Sequence, residues 1–146
     1  MTRDGKGALV SQRSVRLKMP ASSEYLRIAR TATAAVCARL DYPIDRLEDI
    51  KLAVDEACSL LLADAAPDSA IELVITPDGH GELQIEVSAR TRRGRPPKQT
   101  SFAWTVLSAL VDNVEASVED GIVTIRLHAT RGDMAGATRR SPVGSP

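Results

Sequence analysis

Two adjacent acids, Asp55 and Glu56, sit in the stretch KLAVDEACSLL, residues 51 to 61. A carboxylate held on a helix is a candidate general base, and a pair of them invites an acid–base reading. Neighbouring helical residues point about 100° apart, however, so these two do not face each other. The informative neighbour of Glu56 lies four residues on, one turn along the same face, where a catalytic glutamate wants a polar partner. That residue is Leu60. Cys37 and Cys58 fall in helix-like segments without a Cys-x-x-Cys motif and read as buried, reduced thiols. His80 lies in a turn and His128 near a strand end; no ligand spacing joins them, so no metal is expected. The run RTRRGRPPKQT, 90 to 100, gathers Arg90, Arg92, Arg93, Arg95 and Lys98 around two prolines. It reads either as a clamp for phosphate or an acidic partner, or as a solvated loop.

These groups belong to a chain of 146 residues, enough for one domain. A chain of this length buries roughly two-thirds of its unfolded surface and needs neither metal nor disulfide to fold. It is 43% hydrophobic but only 3% aromatic, so its core must be built from Ala, Val, Leu and Ile. Nineteen basic residues balance nineteen acidic ones. A nucleic-acid binder usually carries a basic excess, so direct DNA or RNA binding is disfavoured. There is no apolar leader and no run long enough to span a bilayer, so the expectation is a cytoplasmic protein with no membrane partner.

Residues 1–12 and 130–146 are rich in Gly, Ser, Thr, Arg and Pro and read as tails around a domain at 13–129. SVRLKMP, 14 to 20, alternates and predicts a half-buried strand. Ser22 or Ser23 is placed to cap a helix to about Leu40, with Leu26, Ala29, Thr33, Val36 and Leu40 on one face. Asp45 and Glu48 make a possible capping pair for a second helix to about Ala65, striped by Leu47, Ile50, Val54, Ala57 and Leu61. The run 71–89 predicts a hairpin turning at Pro77 to Gly81. A third helix from Ser101 to about Val114 and a closing strand, Ile122 to Leu127, complete the order. One-faced strands and helices predict an α+β two-layer sandwich, with a mixed, mostly antiparallel four-stranded sheet and three helices on one face.

This order, with IKLAVDEA in the second helix and SFAWTVLSALVDNVEASVEDGIVTIRL towards the end, resembles the small anti-sigma factors of the histidine-kinase-like ATPase fold. These are the serine-kinase switch proteins of stress response and sporulation, and the chain looks most like their actinobacterial branch. Active members bind ATP and Mg²⁺ and phosphorylate a serine of a small antagonist. By the resemblance Glu56 takes the place of their catalytic base. Leu60 takes that of the Mg²⁺-coordinating Asn, and a hydrocarbon cannot ligate a cation that demands oxygen. The adenine-reading Asp falls at about Ala89, and of the glycines that follow only Gly94 is left. The glycine-rich lid is replaced by SFAW, so Phe102 and Trp104 stand where backbone must approach phosphate closely.

The resemblance therefore implies an anti-sigma factor that sequesters an alternative stress-type sigma factor, is released by an anti-anti-sigma antagonist, and has lost its nucleotide and metal cofactors. The alternative is an active ATP- and Mg²⁺-dependent serine kinase with Glu56 as base; an orphan scaffold is a third reading. In the family the first helix and its neighbouring strand build a dimer and the sigma surface. Arg27 and Arg30 thereby become candidate sigma contacts, and a homodimer is expected.

Overall fold

The computed structural model describes residues 13–132; of the segments read as tails, 1–12 and 133–146 lie outside the described residues. Period-two alternation becomes five strands: β1 (Val15–Pro20), β2 (Ala70–Pro77), β3 (Glu82–Arg90), β4 (Asn113–Glu119) and β5 (Ile122–Thr130). Their order across the sheet is β1-β2-β3-β5-β4, and every neighbouring pair is antiparallel. Successive side chains of a strand point to opposite faces. One face accordingly carries Ile71, Leu73 and Ile75, then Leu83, Ile85 and Val87, then Val123, Ile125 and Leu127, all fully buried. The other carries charge: Arg126 on β5 donates to Glu86 on β3 at 2.7 Å and lies 3.6 Å from Glu115 on β4.

The expected four strands are corrected to five, and the expected mixed sheet to a purely antiparallel one. The expected third helix, reaching to about Val114, leaves no strand before Ile122, whereas residues 113–119 form β4. The helix stops at Leu110 because Val111 is extended, with φ −132° and ψ 173°. The chain then turns back at Asp120-Gly121, whose φ values of 53° and 79° suit the tight turn that matches strand twist. Val114 and Ala116 rest half-buried on the core edge, too weak an apolar pattern to announce a strand.

Three helices cover the apolar face: α1 (Leu26–Arg39), α2 (Ile44–Leu62) and α3 (Phe102–Leu110). The expected stripe of α1 is buried at Leu26, Ala29 and Thr33, with Cys37 in place of Val36 and Leu40, which are half-covered. In α2 all five expected positions are buried, joined by Ala53 and Cys58. The expected caps do not form. A short 3₁₀ turn, Ser23–Tyr25, precedes α1, and Pro43 holds the N-cap of α2, so Asp45 sits inside the first turn, beside the positive end of the helix. Both thiols are free and buried, and burial pushes Cys37 up to about 11 and Cys58 up to about 12. Among the described residues no helix is long and apolar enough to cross a membrane.

Candidate functional site

α2 buries Ala53, Val54, Ala57, Cys58 and Leu61 against the sheet, which leaves Asp55 and Glu56 half-buried at its sides. The two acids part company as helix geometry demands. Asp55 turns to α1, where its Oδ1 accepts from Arg30 Nη1 at 2.6 Å. Leu60 is half-buried at the margin of the core and lines a cleft of about 340 Å³ between the end of α2 and the loop that leads to α3. Pro96, Pro97, Arg95 and Lys98 form its other wall, and Ser101 lies at its end. Glu56 is not among the lining residues.

The loop is fastened to α2 by Asp64. Its carbonyl accepts from Arg92 N at 2.8 Å, and its carboxylate accepts from Arg93 N at 3.2 Å and Arg93 Nε at 3.3 Å. Gly94 takes a positive φ of 62°, and its amide donates to Thr91 Oγ1 at 2.9 Å. The basic run thus divides. Arg90 donates to Asp120 O at 2.9 Å and Arg93 holds Asp64, while Arg92, Arg95 and Lys98 are exposed. Because Arg93 is itself 72% exposed, its ion pair adds at most about 1 kcal/mol.

At the start of α3 the backbone is already engaged. Ser101 caps the helix, its Oγ accepting from Trp104 N at 3.2 Å and its carbonyl from Thr105 N at 3.2 Å. The two aromatic residues have opposite fates: Trp104 is 7% exposed and belongs to the core, Phe102 is 82% exposed. Ala89 is buried within β3, opposite Ile71 and Val123. On α1, Arg27 is exposed beside the exposed Ile28, whereas Arg30 is tied down by Asp55.

The structure therefore brings Leu60 and the 93–101 loop around one cleft, while Ala89, buried in β3, is not among its lining residues. It holds Arg27 and Arg30 on another helix. Sequence reasoning missed Asp64, the loop's anchor. Its one signal was an acid just past the apolar stripe of α2, three residues before Pro67, which bars any further helix.

Residues 19–128 match the model of the histidine kinase-like ATPase domain, and the chain belongs to that family. Among curated relatives it is similar to the anti-sigma-F factor RsbW of Mycobacterium tuberculosis, 36% identical over 110 residues, which cover 75% of this chain and 65% of the relative. It is also similar to the serine-protein kinase RsbW of Bacillus subtilis, 34% identical over 71 residues, or 49% of this chain and 39% of that protein. The match thus spans less than two-thirds of either relative's length. The crystal structure of the RsbU and RsbW domains of Rv1364c from Mycobacterium tuberculosis superposes with a TM-score of 0.64 at 17% identity. It covers 80% of this chain and 32% of that one, a likeness of fold.

Proposed function

We propose that this chain is an anti-sigma factor: it sequesters an alternative stress-type sigma factor, releases it to an anti-anti-sigma antagonist, and does so without using ATP. The relatives named for anti-sigma activity support the first part. The observation that supports the last is Leu60, a hydrocarbon lining the cleft, at the position to which the resemblance assigns the family's metal ligand. The other residues fit MgATP no better. Ala89 offers no side-chain acceptor to adenine, and the amides of Gly94, Trp104 and Thr105 already donate to Thr91 and Ser101. Phosphoryl transfer depends on metal positioning and charge neutralisation, so Glu56 alone achieves little. The mechanism is occlusion, in which a homodimer presents α1 to sigma and blocks its contact with RNA polymerase. Arg27, exposed next to Ile28, is the stronger of the two candidate contacts, because Arg30 is committed to Asp55.

Co-purification with the host's alternative sigma factors tests the binding. One sigma factor is expected to co-purify with the chain, to be displaced by the cognate antagonist, and to be lost with Arg27→Glu. Binding to none of them sinks the reading. The nucleotide part is tested separately by urea melts. A ligand that binds only the folded chain must stabilise it by RT ln(1 + [L]/Kd). MgATP is expected to leave the midpoint unchanged in the natural chain and in Leu60→Asn. The substitution costs about 1–2 kcal/mol, less than at a fully buried leucine because Leu60 is half-covered. A clear MgATP shift in the natural chain, together with serine phosphorylation of the antagonist that Glu56→Ala abolishes, would establish the kinase instead.

A further inference from the structure

β3 ends at the cleft just described and begins at a larger one. Where the β2–β3 turn, the start of β1 and the end of α1 meet, a cleft of about 740 Å³ opens. That volume is in the range of small-molecule sites, roughly 300–1,000 Å³. Its apolar lining is Val15, Val36, Leu40 and Pro77, and its cations are Arg13, Arg39 and Arg131, with His80 in the turn.

The turn is shaped to let two of these arginines in. Gly79 and Gly81 take φ values of 87° and 89°, a region that favours glycine. A Cβ on Gly79 would lie 2.9 Å from Arg13 Nη1, and one on Gly81 would lie 3.3 Å from Arg131 Nη2. Arg131 is also held in place. Its amide donates to Gly81 O at 2.8 Å and its Nη1 to Leu40 O at 3.2 Å, so one donor of a five-donor fork is used and the head is fixed. Tyr42 Oη donates to the same Gly81 carbonyl at 2.9 Å.

Two of the nearby acids are otherwise engaged. Glu82, the one carboxylate in the lining among the described residues, lies 2.6 Å from His128 Nε2. Asp78 Oδ1 accepts from the amides of His80 and Glu82 at 2.6 and 3.1 Å. Desolvation pushes its carboxyl up, but those two amide bonds and the imidazoles of His80 and His128 together hold it below the usual range. Asp41, next in the chain to Leu40, is exposed. The end of α1 explains part of the positive charge, since a helix C-terminus carries about half a negative charge. Three arginines exceed that several-fold.

We propose that this cleft binds a small amphiphilic anion, a phosphate or carboxylate head on a hydrocarbon or aromatic body. The arginines take the head in charge-assisted hydrogen bonds, and Val36, Leu40 and Pro77 cover the body. The site is independent of the nucleotide reading, because it lies at the opposite end of β3 from the Leu60 cleft; it shares α1 with the sigma reading but can be assayed on the full chain alone, without sigma. The probe is octyl phosphate below its micellar concentration, titrated into the ¹⁵N-labelled full-length chain. Saturable amide shifts are expected at Leu40, Gly79, Gly81 and Arg131, with at least tenfold weaker binding of octanol and of inorganic phosphate. Arg39→Ala and Arg13→Ala, both exposed positions, should each weaken octyl phosphate about tenfold without moving the urea midpoint. Any of three results overturns the proposal: no saturable shift, equal binding by the arginine variants, or shifts centred on the cleft beside Leu60. Binding of the chain to phosphatidylglycerol vesicles without saturable octyl phosphate binding would overturn it too, in favour of a membrane surface.

Discussion

Trp104→Ala destabilises the domain by about 3–5 kcal/mol, the range for removing a large aromatic side chain from a core. For a domain of this size that corresponds to a fall in Tm of roughly 10–16 °C. Trp104 is 7% exposed and lies on α3, the helix that packs on α2 at the end carrying Leu60. Most of the loss is hydrophobic, because the backbone amide that Ser101 caps survives the substitution. Phe102→Ala, two residues away, is the internal control. At 82% exposure it should change stability by no more than about 0.5 kcal/mol, as surface substitutions usually do. Urea melts of the two variants decide the matter; comparable losses at both positions would mean that Phe102 is covered in solution.

Arg46→Met is expected to cost about 2–3 kcal/mol, through hydrogen bonds rather than packing. From the first turn of α2, Arg46 donates through Nε to Thr130 O at 2.8 Å and through Nη1 to Leu110 O at 3.3 Å, and its Nη2 pairs with Asp112. It thus joins α2 to the end of α3 and to the last residue of β5. Asp112 in turn accepts from Thr130 N at 2.7 Å. Its loss leaves two carbonyls short of a donor and Asp112 short of its counter-ion. Methionine keeps the stem's apolar contacts, which isolates the polar loss. In a double-mutant cycle with Asp112→Asn, the two substitutions should cost less together than in sum, with a coupling above about 0.5 kcal/mol. Amide exchange at Thr130 should quicken in the same variant, because β5 loses its tie to α2. A cost under about 0.5 kcal/mol would show that solvent replaces the guanidinium without penalty.

Arg46 also marks what a linear reading cannot reach. Nothing in IDRLED distinguishes a bridging arginine from a solvated one, because Thr130 and Leu110 come within reach only after three helices and five strands have packed. The same holds for Arg30, which the resemblance offered as a partner contact and the fold gives to Asp55. The cluster of Arg13, Arg39 and Arg131 unites three distant stretches of chain, so no window of sequence contains it.

By contrast, the apolar stripes of the helices and the alternation of the 71–89 hairpin were legible in advance. Burial of one face is a repeating demand that recurs every two residues in a strand and every three or four in a helix. The side-chain types at Leu60, Ala89, Phe102 and Trp104, from which the resemblance implies that oxygen and glycine chemistry has been replaced, were legible at each position as well. Where those residues went was decided in three dimensions. Phe102 and Trp104 are two apart and equally apolar, yet on a helix two residues apart face different ways, and only the fold says which way is inward. β4 was decided there as well. Its pattern is too weak to choose between helix and strand, and pairing along β5, Asn113 opposite His128 through Glu119 opposite Ile122, supplies the backbone hydrogen bonds that settle it as a strand.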